Sequence, residues 1–162
     1  MDRIVISTDG ACKGNPGIGG WGAVIRYENN FIKICGGESN TTNNKMELTA
    51  AIKALEYVSQ LPQLDKKVQI EFITDSNYLK DGITKWKYNW EKNGWKTASG
   101  SSVKNKELWI RIIQLTSNIN IRWIWQKSHI GHELNEIADQ LANEGIKKIM
   151  YPQTDVISLR KY

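Results

Sequence analysis

The chain has 162 residues, with 22 Lys and Arg against 17 Asp and Glu and a formal net charge of +5. This length suits one domain that buries its own core without disulfides. No apolar run approaches the length of a membrane span, and the first residues lack the pattern of a signal peptide, so we expect no membrane contact and a cytoplasmic location. Seven lysines lie between residues 80 and 106, and this concentration favours an anionic partner.

The apolar pattern predicts five strands and five helices. We expect strands at residues 3–8, 21–27, 31–37, 68–74 and 119–126, and helices at 45–60, 76–82, 83–94, 105–118 and 135–149. Short connections make the first three strands an antiparallel meander, and the first helix predicts a fourth strand parallel to the first. The expected fold is an α/β domain with a mixed sheet over residues 1–149, followed by a tail over 150–162. The two cysteines, Cys12 and Cys35, are expected to be free thiols.

A glycine-rich segment follows the first strand at residues 10–20 and is expected to be a loop that exposes backbone amides beside Asp9. Residues 17–22 match G-x-G-x-x-G, the dinucleotide-binding fingerprint. That fingerprint must open a helix, whereas here a strand follows, so we reject a dinucleotide site.

Four carboxylates are candidates for one site. Asp9 and Asp75 each end a predicted parallel strand, and such ends meet at the same edge of a sheet. Glu47 is expected in the first turn of the first helix, and Asp139 borders the apolar stripe of the last. Convergence of these acids requires a cation, because two charges about 4 Å apart repel by roughly 4 kcal/mol at a dielectric of 20. Oxygen ligands alone favour Mg²⁺ or Mn²⁺ over zinc.

Each acid also has an ordinary structural explanation. Glu47 could complement the helix N-terminus with Asn44 as its capping partner, and Asp75 could be the N-cap of the helix that begins at Ser76. Taken alone, Asp139 is best explained as a solvated helix charge. Asp9 resists such an explanation, since an acid that ends an apolar strand needs a partner. His129 and His132 offer too few ligands for a zinc site.

Five stretches resemble ribonuclease HI in its single-domain bacterial form. They are TDGACKGNPGIGGWGAVI, TTNNKMELTAAIKALE, TDSNYLKDGITKW, NGWKTASGSSVKNKELW and SHIGHELNEIADQLA, in the family's order and over nearly the whole chain. The resemblance implies a five-stranded mixed sheet flanked by helices, and hydrolysis of the RNA strand of RNA/DNA hybrids to 5′-phosphate and 3′-hydroxyl ends. It also implies that two Mg²⁺ ions are held by Asp9, Glu47, Asp75 and Asp139, and that His129 assists proton transfer or product departure.

The resemblance further implies a set of substrate contacts. Asn15, Asn43 and Asn77 match positions near the cut, where amides can recognise a 2′-hydroxyl; Asn15 and Asn43 also suit turn and cap positions. Thr42 and Asn105 resemble a pocket for one DNA phosphate, and Trp86 and Trp109 resemble the wall of the DNA channel. Lys85, Lys87, Lys92 and Lys96 fall in the family's basic protrusion, whereas Trp90, Trp95 and Trp123 are expected in the core.

The chain departs from the family at two places. Glu91 and Asn93 lower the charge of the protrusion, and Asn40 stands where many bacterial members have arginine. Two other functions stay open on the residues alone: a non-catalytic nucleic-acid-binding module on the same fold, and a transposase-like DNA nuclease. Nothing in the sequence indicates more than a monomer.

Overall fold

The computed structural model describes residues 1–126 and 133–152. The strands are β1 (Arg3–Lys13), β2 (Gly17–Tyr27), β3 (Asn30–Thr41), β4 (Gln69–Thr74) and β5 (Asn120–Trp125). The helices are α1 (Asn43–Ser59), α2 (Asn77–Asp81), α3 (Lys87–Lys92), α4 (Lys106–Thr116) and α5 (Glu133–Met150), with a π-helical turn at Gly82–Trp86 between α2 and α3. Within the described residues, no helix is long and apolar enough to cross a membrane.

The five strands form one sheet in the order β3-β2-β1-β4-β5. β1 pairs with β2 and β2 with β3 in antiparallel fashion, while β4 lies parallel to β1 and β5 parallel to β4. This confirms the predicted mixed sheet. The main core contains Ile4, Ile6, Leu48, Phe72 and Trp109, so it lies between the sheet and helices α1 and α4. Helix α5 packs on β1, β2 and β3.

The glycine-rich segment is not the loop that we predicted. β1 continues past Asp9 to Lys13 and pairs with β2 from Asp9–Gly22 to Lys13–Ile18, so only residues 14–16 form the turn. Several glycines instead serve close packing: a Cβ on Gly22 would lie 2.5 Å from the carbonyl oxygen of Ala138 in α5. Glycine is required there because a helix backbone touches the strand.

The predicted helix over 83–94 is also corrected. Residues 77–92 wind continuously but change to π-helical geometry at Gly82–Trp86 before α3 begins. The Trp109 ring packs so closely on Gly82 that a Cβ there would overlap it. A wider turn at this point is typical of a local insertion near a functional region.

Candidate active site

Asp9 and Asp75 emerge side by side at the edge of the parallel strands. The last rung of the β1–β4 pairing joins Ser7 and Ile73, so both acids lie just beyond it. Asp75 is not a helix cap, because the Ser76 hydroxyl accepts the hydrogen bond from the Leu79 backbone at 3.1 Å and caps α2. The capping explanation for Asp75 is therefore wrong.

Glu47 reaches the same place from α1. Thr42 caps this helix by accepting a hydrogen bond from the Lys45 backbone N–H at 3.2 Å. Glu47 is therefore the fifth helical residue and lies beyond the first turn. This corrects our prediction that Glu47 lies in the first turn and could form a capping pair with Asn44. The backbone N–H of Gly10 donates both to Asp9 Oδ1, at 2.9 Å, and to Glu47 Oε1. A Cβ on Gly10 would lie 2.5 Å from the Glu47 backbone nitrogen. Only glycine allows α1 to cross β1 this closely.

The three carboxylates are crowded. Asp9, Glu47 and Asp75 each offer an oxygen, and these oxygens lie within 4.8 Å of one another. Burial, a hydrogen bond with Asp139 and the charge of Asp75 raise the pKa of Asp9 from 3.8 to about 7. Burial and the charges of Asp9 and Asp75 raise the pKa of Glu47 well above its usual 4.5. Burial and mutual repulsion thus disfavour the ionised forms, and a divalent cation relieves this condition.

Asp139 joins the cluster from α5. It lines a cleft of about 490 Å³ together with Asp9, Glu47 and Asp75. The start of α5 is fixed by Asn135, a buried side chain that accepts from Ser7 Oγ at 2.6 Å and donates to Gln126 Oε1 at 3.3 Å. Since Ser7 precedes Asp9 by two residues, this bond ties the helix that carries Asp139 to the strand that carries Asp9. Asp139 is exposed, as a solvated helix charge would be, and it also lines this cleft.

Three of the predicted substrate contacts lie in or beside the cleft. Asn43 and Asn77 line it, and Asn15 Oδ1 accepts from the Asn43 backbone at 3.0 Å, which joins the β1–β2 turn to the start of α1. Of the charged residues on the protrusion, Lys85 is exposed and pairs with Asp81 at 3.5 Å, while the Lys87 ammonium lies 5.1 Å from the ring centre of Tyr88.

Tyr78 is a site residue that the sequence patterns did not reveal. It lines the carboxylate cleft, and its hydroxyl accepts from Asn105 Nδ2 at 3.1 Å and from Trp109 Nε1 at 3.2 Å. Its ring packs against Trp86 and Trp109 at 5.8 and 5.3 Å between ring centres. The sequence signal that could have revealed Tyr78 was its position next to Asn77 in the stretch TDSNY.

The predictions made for the tryptophans have different outcomes. Trp109 has 0% exposure, so it supports the neighbouring rings from behind and presents no face to a ligand, which corrects its predicted place in the channel wall. Trp86 is partly exposed. Trp90, Trp95 and Trp123 pack against the core as predicted. His129 and His132 lie outside the described residues.

Comparison with known proteins points in the same direction as the geometry. The family model described as RNase H matches residues 1–147. The ribonuclease H of Methylococcus capsulatus is 51% identical over 150 residues, covering 93% of this chain and 92% of the relative. That of Pseudomonas savastanoi pv. phaseolicola is 48% identical over 148 residues, covering 91% and 95%.

Two solved structures of ribonucleases H have a similar fold. LC9-RNase H1, described as a type 1 RNase H with the type 2 active-site motif, has a TM-score of 0.77 at 30% identity, over 90% of this chain and 72% of that one. LC11-RNase H1, solved in complex with an RNA/DNA hybrid, has a TM-score of 0.63 at 27% identity, over 91% and 99%. With a matching fold, a cluster of acids in one cleft and relatives about half identical over most of their length, the chain belongs to the ribonuclease H family.

Proposed function

We propose that this ribonuclease H cuts the RNA strand of RNA/DNA hybrids in the cleft where Asp9, Glu47, Asp75 and Asp139 meet, leaving 5′-phosphate and 3′-hydroxyl ends. The observation that supports this most is that acids from four separate parts of the fold line one cleft. A module that only bound nucleic acid would be weakened by four carboxylates, because they repel the phosphates that supply most of the affinity.

Divalent metal ions fit this donor set. The ligands are oxygens only, and those of three of the acids lie within 4.8 Å of one another. Burial and the neighbouring acids raise the pKa of Asp9. We propose Mg²⁺ at two positions, with Mn²⁺ as a substitute, held by the four carboxylates. When bound, the ions supply Lewis-acid activation of water and stabilise the departing 3′ oxygen.

The remaining roles belong to the chain's own groups. Asn43 and Asn77 line the cleft and Asn15 bonds to the Asn43 backbone, so their amides can hold the RNA strand and recognise its 2′-hydroxyls. Thr42 and Asn105 are proposed to bind a phosphate of the DNA strand, with Trp86 beside it. Lys85, Lys87 and Lys92 attract the hybrid, and His129 is proposed to move a proton. A cytoplasmic location, a monomeric state and a separate tail at 150–162 stay predictions.

The test is cleavage of four end-labelled substrates, with Mg²⁺ and with EDTA: an RNA/DNA hybrid, duplex RNA, duplex DNA and single-stranded RNA. We expect metal-dependent cutting of the RNA strand of the hybrid alone. Binding of the hybrid without cutting would support the binding module, and cutting of duplex DNA would support the transposase-like nuclease. Replacing Mg²⁺ with Mn²⁺ in the same assay determines the metal preference.

A further inference from the structure

A small recess adjoins the carboxylate cleft on the side of β5. It has a volume of about 60 Å³, and its lining residues are Asp75, Ser76, Asn77, Lys80, Trp125 and Gln126. The first three of these also line the cleft, so the two spaces share a wall. Of the described residues proposed to hold the DNA phosphate, Thr42 and Asn105, neither lines this recess. The recess therefore lies beside the place where the RNA strand is cut.

Lys80 brings a positive charge to the recess from α2. Its side chain is half-buried and lies one helical turn after Ser76. Within the part of the chain that the structure describes, no acid lies within 4.0 Å of the Lys80 ammonium, whereas Lys85 pairs with Asp81 at 3.5 Å. Asp75 lines the same recess but lies beyond that distance and belongs to the cluster of acids suited to a metal. A half-buried ammonium of this kind is placed to meet an anion that comes from outside the chain.

Two neutral donors line the recess together with Lys80. The backbone N–H of Gln126 donates to the Thr74 carbonyl at 3.0 Å, and its Oε1 accepts from Asn135 Nδ2 at 3.3 Å, so the amide NH₂ is the end left to donate to a ligand. The Ser76 hydroxyl oxygen accepts from the Leu79 backbone N–H at 3.1 Å, and its own proton can be donated elsewhere. One cationic and two neutral donors suit a ligand that is anionic and carries acceptors.

The size of the recess restricts that ligand to a small group. Its volume of about 60 Å³ is roughly twice the 30 Å³ that one water molecule occupies in the liquid. A base or a sugar is too large for it. A backbone phosphate fits the description, because it presents two small anionic oxygens while the rest of the strand stays outside.

We propose that this recess binds one backbone phosphate of the RNA strand, close to the scissile phosphate, through the Lys80 ammonium. The assignment rests on the proposed function. The RNA strand is favoured over the DNA strand because the recess shares Asp75 and Asn77 with the cleft in which the RNA is cut. Lys80 then holds the RNA strand beside the acids before the reaction.

The test compares Lys80→Gln with Lys66→Gln, which removes an exposed lysine that precedes β4 and does not line the recess. Among the described residues the Lys80 side chain makes no hydrogen bond, so the substitution breaks no contact, and equal urea midpoints check this. We expect Lys80→Gln to raise KM for the hybrid roughly threefold to tenfold with kcat within about twofold, because a lysine–phosphate contact contributes mainly to binding. In EDTA, the slope of log binding constant against log salt should fall by about 0.9. Lys66→Gln should change neither value, and Lys80→Arg, which keeps the charge, should keep the slope of the wild type.

A single neutral methylphosphonate linkage, moved along the RNA strand and then along the DNA strand, locates the contact. At one RNA position near the cut it should weaken binding by the wild type in EDTA and leave binding by Lys80→Gln unchanged, since the contact is already absent there. Equal kinetics in Lys80→Gln and Lys66→Gln, a fall in kcat with KM unchanged, or interference confined to the DNA strand would each overturn the proposal. These outcomes require a wild type that binds and cuts the hybrid; if it does neither, the proposed function itself has failed.

Discussion

A single backbone N–H group connects two of the four acids. The Gly10 amide donates to both Asp9 and Glu47, and it is one N–H shared by two buried or half-buried carboxylates. One shared donor cannot compensate two negative charges in a poorly solvated place. Burial, together with the hydrogen bond to Asp139 and the charge of Asp75, raises the pKa of Asp9 to about 7. The site is consequently less stable without metal than with it.

Asp9→Asn should abolish metal-dependent cleavage while stabilising the metal-free fold. The amide keeps the size of the side chain but removes one repelling charge and one anionic ligand. We expect the free energy of unfolding at pH 8 in EDTA to rise by about 1–3 kcal/mol. Urea denaturation and the hybrid cleavage assay measure the two effects. Glu144→Gln, which removes an exposed acid of α5 paired with Lys147, is the control and should alter neither. Retained cleavage in Asp9→Asn would remove Asp9 from the metal site.

The raised pKa of Asp9 also predicts how stability depends on pH. The folded pKa of about 7 exceeds the ordinary 3.8, so the folded chain binds the extra proton between these values. This contribution to stability is complete below about pH 4 and is lost as the pH rises through 7. In EDTA, the wild type should lose up to about 4 kcal/mol relative to Asp9→Asn between pH 4 and 8. Urea denaturation measures the free energy of unfolding of both proteins across this pH range. If the two curves ran parallel, the raised pKa assigned to Asp9 would be contradicted. Mg²⁺ should reduce the loss at high pH.

At the scale of elements, small residues set how closely α5 approaches the sheet. A Cβ on Gly20 or Gly22 would run into the backbone of α5, and one on Gly145 would run into Gly36 of β3. The helix therefore lies against the strands with little side chain between them. This approach places Asp139 beside Asp9, so the position of a site residue depends on glycines that take no part in the chemistry.

Ser7→Ala should lower both the stability of the protein and its affinity for Mg²⁺, although Ser7 is not one of the four acids. It removes the 2.6 Å hydrogen bond to Asn135 and leaves a buried acceptor without this donor, which costs about 1–3 kcal/mol of stability. Because α5 is then held less firmly to β1, we also expect weaker Mg²⁺ binding, measured by calorimetry on the protein alone. Ser59→Ala removes a hydroxyl bond at the exposed end of α1 and is the control. Unchanged Mg²⁺ affinity in Ser7→Ala would restrict Asn135 to a structural role.

At the scale of the whole molecule, the segment over residues 77–92 connects the cleft to the basic protrusion. Trp90 packs on Trp86, Trp95 and Trp109 with ring centres 5.2 to 5.7 Å apart. Through this aromatic cluster the segment that carries the protrusion packs on the core.

Changing Lys85, Lys87 and Lys92 together to Ala should raise KM more than it lowers kcat. These lysines attract the hybrid from outside the cleft, and their removal should also reduce the salt dependence of binding by about 0.9 per phosphate contact. Steady-state kinetics at several salt concentrations measure both effects. Lys66, Lys67 and Lys148, exposed on other parts of the surface, provide a triple-Ala control. A fall in kcat at constant KM would show that the protrusion is not a binding arm.

The elements that were predicted well have a strong local signal. The five strands, α1 and α5 follow apolar periodicity, and the βαβ pattern gave the parallel pairing of β4 with β1. The errors have tertiary causes. In the segment over 10–20, Gly10 and Gly20 allow helices to pack on β1 and β2, while Gly14 and Gly17 serve the short turn. A sequence cannot distinguish this arrangement from a glycine-rich loop. The π-helical turn at Gly82 packs against the ring of Trp109, a residue far along the chain.

The sequence alone determined the fold class and the family resemblance, and it singled out the four acids because two predicted strand ends and two predicted helices carry them in a recognisable order. Only the tertiary structure decided that Asp139 reaches the same cleft, that Tyr78 joins the cleft to Asn105, and that Trp109 is fully buried. Those facts depend on how closely α5 approaches the sheet and how closely α4 approaches the segment over 77–92. Such distances follow from packing between residues far apart in the chain, which local patterns do not encode.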